Sequence, residues 1–102
     1  MKAFDIYLAA HAWRASTYPR PYLLIRPVTP AVWACFPLST KDYDSEPFEI
    51  RTDDPDFAAT GLTATSYVYD FRFEEVAVAE FIQRLGHLEK GLLARFRASA
   101  GV

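Results

Sequence analysis

The chain has 102 residues, of which 51% are apolar and 16% aromatic, and it carries a net charge of -2. A chain this short cannot divide its apolar residues between two self-sufficient cores, so we expect one globular domain over residues 1–102. The density of bulky side chains excludes a disordered protein. Asp5 interrupts any signal peptide, and no window reaches the roughly 18 apolar residues of a membrane span. We therefore expect a soluble, cytoplasmic protein with no membrane contact.

The charge is unevenly distributed along the chain. Residues 1–41 carry a net charge of +4, residues 42–80 a net charge of -9, and residues 81–102 a net charge of +3. The acidic total argues against a general nucleic-acid coat protein. A local cationic face can still bind a few phosphates.

Three strands are predicted in the first half of the chain. Alternating apolar and polar residues predict a strand over 4–8, and the mixed, proline-interrupted segment 11–21 predicts a loop. A dense apolar run predicts a buried strand over 21–26, and a second run predicts a strand over 31–36. Pro37 is expected to end that third strand, because proline has no N–H to donate.

The middle of the chain predicts further strands. A short strand is expected over 47–51, followed by a turn over 53–56. The strongest strand pattern covers 62–73, where four aromatic residues recur at every second position. Residues 76–82 predict another strand or a bent extension of the same one, and Gly86 is expected to break it.

The hydrophobic period changes near residue 85. Apolar residues then recur three or four positions apart, which predicts an amphipathic helix; they are Leu85, Leu88, Leu92 and Phe96. Lys90, Arg95 and Arg97 fall largely away from this stripe. The predicted fold is mainly β, a small barrel-like sheet closed by one C-terminal helix.

The sequence contains no motif for metal binding or for nucleotide-dependent chemistry. The two histidines, His11 and His87, are isolated from each other, and Cys35 is the single cysteine. These spacings match no metal site, and the scattered glycines form no phosphate-binding loop. We therefore expect no metal and no cofactor. Cys35 lies in an apolar run and is interpreted as a buried, reduced residue.

Five short segments carry a resemblance to a known family. A first strand over 4–8 is followed by Arg-Pro and an apolar strand over 20–25, and by a Pro-x-Ser/Thr-Ser/Thr element at 37–40. Gly-Leu then leads into a Ser-Tyr-Val strand over 61–68, and Leu-Gly-x-Leu follows at 85–88. In this order the segments resemble the PemK/MazF family of toxin endoribonucleases from type II toxin-antitoxin modules, over most of the chain.

The resemblance implies a fold, a reaction and partners. The fold would be an SH3-like barrel with a C-terminal helix, acting as a homodimer. Such toxins cleave single-stranded RNA without a metal: the ribose 2′-hydroxyl attacks the phosphorus, leaving a cyclic phosphate and a free 5′-hydroxyl. The implied protein partner is a cognate antitoxin whose disordered acidic tail covers the RNA groove.

The resemblance also implies catalytic residues. Arg20 matches the family's catalytic arginine by its position before Pro21, and Ser39, with Thr40 beside it, matches the hydroxyl element. A fixed cation and hydrogen-bond donors lower the barrier by stabilising charge on the phosphoryl oxygens. The alternative is that Arg20 solvates a strand end and that Ser39 and Thr40 close a turn.

The sequence departs from the family in its acid and base residues. Ser66 stands where some members have an acidic residue, and it either contacts RNA or packs in the sheet. The Glu-Gln pair of many members is absent from the first loop. His11 is a candidate proton shuttle, because an unperturbed imidazole titrates near about 6.5. A surface histidine without such a role is the alternative.

Aromatic and basic residues cluster early in the sequence as candidate RNA contacts. Trp13, Tyr18 and Tyr22 lie near Arg14 and Arg20. Unpaired bases stack on such rings with about 1 to 3 kcal/mol each. Packing in the core or contact in a dimer explains Trp13 equally well.

Two other functions stay open. The segment 4–7 and Pro37-Leu38 are also similar to the CcdB gyrase poisons, which act through a Trp-Gly-Ile-like end. This chain ends in Ala100-Gly101-Val102. The remaining alternative is a catalytically silent, dimeric binding module of the same fold.

Overall fold

The computed structural model describes residues 1–11, 18–42, 47–71 and 73–102. Seven strands, two 3₁₀ turns and one helix lie in these ranges. They are β1 (Asp5–Ala9), β2 (Arg20–Thr29), β3 (Val32–Ser39), β4 (Phe48–Ile50), a 3₁₀ turn (Ala58–Thr60), β5 (Ser66–Val68), β6 (Glu74–Ala77), a second 3₁₀ turn (Val78–Glu80), β7 (Phe81–His87) and α1 (Lys90–Ala100). The expected mainly-β class with one C-terminal helix is confirmed.

All seven strands belong to one antiparallel sheet with β3 at its centre. The order is β4-β5-β3-β2-β1-β7, and β6 also pairs with β3. One side of β3 pairs with β2, while its other side pairs with β6 over the first half and with β5 at the end. Within the described ranges the two end strands, β4 and β7, do not pair with each other, so the sheet is not closed and the expected barrel is not confirmed.

The sheet buries residues on both faces. Successive residues of a strand point to opposite faces, so Leu23 and Leu24 of β2 enter two different clusters. The helix-side core includes α1 and consists of Ile6, Leu23, Ile25, Phe36, Leu38, Ile50, Val68, Leu88, Leu92 and Phe96. The second core consists of Ala9, Tyr22, Leu24, Cys35 and Val76.

Helix α1 begins later than the apolar stripe suggests. Leu85 belongs to β7 and Leu88 to the connection, so only Leu92 and Phe96 of the stripe lie in the helix. Both are buried, and each contributes about 1.5 to 3 kcal/mol of burial free energy. The expected exposure of Lys90, Arg95 and Arg97 is confirmed.

Pro37 and Gly86 lie inside strands, contrary to expectation. Pro37 pairs with Tyr22, and its carbonyl accepts a hydrogen bond from the amide of Tyr69 at 2.9 Å. Proline lacks only the donor, so it can still serve the ladder as an acceptor. Gly86 pairs with Ile6. It lies so close to the first 3₁₀ turn that a Cβ would collide with the backbone of Ala59 and Thr60, so only glycine fits there.

The long strand predicted over 62–73 is also wrong. The chain forms β5, leaves the ladder after Val68 and forms β6 from Glu74 onward. The two short strands pair with β3 in registers that differ by three residues, so one continuous strand cannot make both pairings. Residues 76–82 likewise contain the end of β6, the second 3₁₀ turn and the start of β7.

No helix in the described ranges is long and apolar enough to cross a membrane, and α1 itself has 11 residues.

Candidate functional site

Three strand termini meet at one end of the sheet. The end of β1 lies beside the start of β2, where Ala9 pairs with Arg20. On the other side of β2, Tyr22 pairs with Pro37 in β3. This is the last pair of the two strands, and Arg20 and Ser39 each lie two residues beyond it. Both side chains lie on the face of the second core, because residues two apart along a strand share a face.

Arg20 is the first residue of β2 and is half-buried, with its Nε fully covered. Its charge acts on the hydroxyl of Tyr22. Burial raises the pKa of Tyr22 above its usual range, the Arg20 charge opposes this rise, and the carboxylates of Glu74 and Glu80 add to it. The charges of Arg20, Glu74 and Glu80 therefore all act on the Tyr22 hydroxyl.

Ser39 ends β3 and is half-buried, whereas Thr40 is exposed. The Oγ of Ser39 accepts a hydrogen bond from the amide of Lys41 at 3.1 Å, which closes a short turn. The hydroxyl of Tyr69 donates to the carbonyl of Lys41 at 2.5 Å and holds this turn in place. A serine hydroxyl that accepts one bond keeps its own proton for donation, so Ser39 can still donate to an anion.

His11 lies at the same end, two residues beyond β1. Its Nδ1 is 2.9 Å from Oε2 of Glu80, and its ring meets the Tyr22 ring edge to face, with centroids 5.7 Å apart. The side chain of His11 is 21% exposed and that of Glu80 is 34% exposed, so a ligand can reach the pair. Within the described part of the chain, Arg20 and His11 thus lie near the end of β1, and Ser39 and Thr40 lie at the end of β3.

Two predicted RNA contacts are not supported. Tyr22 is fully buried, so its ring offers no face for a base. Ser66 is buried, and its hydroxyl donates to the carbonyl of Ala64 at 2.9 Å, which corresponds to the packing alternative. Trp13 and Arg14 lie outside the described residues.

Cys35 has the environment expected of an inert thiol. It is fully buried in the second core, and burial raises its pKa to about 12. A thiol with such a pKa stays protonated near neutral pH and is a poor nucleophile.

The sequence did not indicate Glu80 as a site residue. It was predicted only as part of the strand or bent extension over 76–82. The signal for it is the register of β1 with β7, in which Ala9 pairs with Phe81. The residue before Phe81 must then lie beside the residues that follow Ala9. Without that register, nothing in the sequence connects positions 11 and 80.

The site combines a fixed cation, a hydroxyl donor and an imidazole-carboxylate pair at one end of an antiparallel sheet. This set can bind an anionic group, donate hydrogen bonds to it and accept a proton. Comparison with known protein families and with curated proteins finds no match for the chain.

Proposed function

We propose that the protein is the toxin of a type II toxin-antitoxin module, a PemK/MazF-type endoribonuclease that cleaves single-stranded RNA without a metal. The feature that supports this is that Arg20 and Ser39 each lie two residues beyond the last pair of β2 and β3, on one face and at one end of the sheet. The open antiparallel sheet with its C-terminal helix is compatible with an SH3-like fold. The ordered sequence motifs supply the rest of the argument.

The chemistry of RNA cleavage suits this pair of residues. Attack by the 2′-hydroxyl on phosphorus increases the negative charge on the phosphoryl oxygens, and preorganised donors lower that barrier. Neighbouring positions on antiparallel strands have Cα atoms about 4.5 to 5.5 Å apart, so both side chains can reach one phosphate. The guanidinium can bind two oxygens at once and keeps its charge at any physiological pH.

Partners follow from the same proposal. The toxin would act in the cytoplasm as a homodimer and would be inhibited by an antitoxin with an acidic segment. The first 41 residues, with a net charge of +4, offer that segment a complementary surface.

The test is cleavage of a mixed single-stranded RNA by the purified protein in EDTA. We expect fragments with a 2′,3′-cyclic phosphate and a 5′-hydroxyl. Arg20→Ala should lower the rate about a hundredfold, since loss of one such interaction costs roughly 3 kcal/mol in the barrier. Ser39→Ala should also lower the rate, with the melting temperature of both variants nearly unchanged.

Arg26 provides the matched control. It lies on the same strand as Arg20, is exposed, and stacks its guanidinium 4.4 Å from the centroid of the Phe73 ring. Arg26→Ala should leave cleavage intact. Full activity in Arg20→Ala would remove Arg20 from the mechanism. Intact RNA with the wild-type protein would reject the nuclease and favour a binding module.

A further inference from the structure

A histidine-carboxylate pair lies beside the proposed phosphate site, and residues far apart in the sequence form it. The Nδ1 of His11 is 2.9 Å from Oε2 of Glu80. The other carboxylate oxygen, Oε1, accepts a hydrogen bond from the amide of Ala77 at 3.0 Å. Each oxygen of Glu80 therefore has its own donor, and this fixes the orientation of the carboxylate.

The ionised state of Glu80 determines the tautomer of His11. Burial on its own raises the pKa of Glu80, but the hydrogen bonds from the Ala77 amide and from His11 outweigh burial and lower it. An ionised carboxylate can only accept hydrogen bonds. In the neutral imidazole the proton must then be on Nδ1, and Nε2 carries the lone pair.

The position of the imidazole is fixed as well. Its plane stands at 87° to the ring of Tyr22, and the Tyr22 hydroxyl donates to the His11 carbonyl at 3.2 Å. The amide of Ala10 donates to the Glu80 carbonyl at 2.9 Å, which ties the second 3₁₀ turn to the end of β1. Because Arg20 precedes Tyr22 by two residues on the same face, the imidazole and the guanidinium belong to one site.

We propose that Nε2 of His11 accepts the proton of the RNA 2′-hydroxyl and that Glu80 is the positioning residue that holds His11 in the required tautomer. This inference rests on the proposed endoribonuclease function. As the proton moves to Nε2, the bond from the 2′-oxygen to phosphorus forms and the bond from phosphorus to the 5′-oxygen breaks. The 5′-oxygen takes a proton from water, and the imidazolium returns its own to solvent.

Glu80→Gln tests the tautomer directly. The Ala77 amide still donates a hydrogen bond to the carbonyl oxygen of the new glutamine side chain. The NH₂ group of that side chain therefore faces Nδ1 of His11. Nδ1 must then accept, and the proton moves to Nε2. Side-chain ¹H–¹⁵N spectra at about pH 8, where an ordinary imidazole is neutral, distinguish the two tautomers. His87, the other of the two histidines, is an internal reference.

Cleavage rates test the consequence. A general base contributes about 10² to 10⁴ in rate, so Glu80→Gln should cut RNA at least about a hundredfold more slowly. Glu75→Gln is the matched control, because Glu75 is an exposed glutamate in β6. His11→Ala should lose cleavage and regain part of it when imidazole is added to the buffer, which a merely structural histidine would not show.

The outcomes separate the two proposals. Wild-type cleavage with unchanged rates in Glu80→Gln and His11→Ala would overturn this inference and leave the nuclease standing. A neutral His11 in the wild-type protein that carries its proton on Nε2 would also overturn this inference. Wild-type protein that leaves RNA intact would overturn both.

Discussion

The carboxylate of Asp56 accepts a hydrogen bond from the amide of Leu92 at 3.1 Å, although 36 residues separate them. Leu92 lies in the first turn of α1, where backbone amides have no partner within the helix. The residue before the helix, Glu89, makes no capping bond with its side chain. Asp56 therefore caps α1 from a distant loop, and its negative charge also suits this end of the helix dipole.

Asp56→Ala should lower the free energy of unfolding by about 1 kcal/mol, the usual cost of a lost helix cap. Urea denaturation followed by circular dichroism measures this. Asp53→Ala is the control, because Asp53 is an exposed partner of Arg51 and such surface pairs contribute little. Equal stability of the two variants would show that Asp56 does not cap the helix.

Gly86→Ala should be more damaging. A Cβ there would lie 2.1 Å from the carbonyl oxygen of Ala59 and 2.5 Å from the carbonyl carbon of Thr60, and both are backbone atoms. We expect a loss of about 3 kcal/mol or more, at the upper end of overpacking effects. Gly91→Ala meets only the Asp56 carboxylate at 3.2 Å and should cost much less. Thermal unfolding ranks the variants, and a reversed order would contradict the close approach.

The sequence predicted the fold where side-chain pattern alone decides the structure. The first strand was predicted from alternating apolar and polar residues and the next two from apolar runs, and the positions of all three are correct within a few residues. The split between β5 and β6 could not be predicted, because an alternating pattern does not tell which part of β3 each segment will pair with. Pro37 and Gly86 were misjudged for a similar reason, since their neighbours across the fold determine whether they fit a strand.

The candidate site was likewise predictable where it depends on neighbouring strands and not where it depends on the pairing of distant segments. Arg20 begins β2 and Ser39 ends β3. These two strands are consecutive in the chain and antiparallel, so a hairpin places both residues at the same end of the sheet. Glu80 depends on the register of β1 with β7, which joins the beginning of the chain to its last strand. Tyr22 was predicted both in a buried strand and among the candidate RNA contacts, because an aromatic residue near basic residues looks the same in sequence whether it is exposed or packed.

Cys35 should not react in the native protein. Burial raises its pKa to about 12, and the thiol is covered on all sides by the second core. We expect no measurable modification by iodoacetamide at pH 8 over an hour and complete modification in urea, as detected by intact mass. Rapid modification of native protein would show that the second core opens.

Glu80 should contribute a pH-dependent share of stability. Its pKa is lowered in the folded protein, so its contribution is present above the unfolded value of about 4.3 and is lost as the pH falls through the folded pKa. The difference in unfolding free energy between wild type and Glu80→Gln should therefore shrink as the pH falls below about 4.3. A gap that widens below that pH would contradict the sign of the shift.

The two pairs of residues in the candidate site, Arg20 with Ser39 and His11 with Glu80, are positioned by different strand pairings. Arg20 and Ser39 depend on β2 and β3, whereas His11 and Glu80 depend on β1 and β7, whose register slips between Ile6 and Tyr7 and again between Leu8 and Ala9. Each slip accommodates one additional residue in β7. Inserting one more residue into β7 without a further bulge would shift every later partner by a position and separate the imidazole from its carboxylate, while the guanidinium and the hydroxyl would keep their places. The proposed anion binding and the proposed proton transfer could thus be altered separately by insertions and deletions.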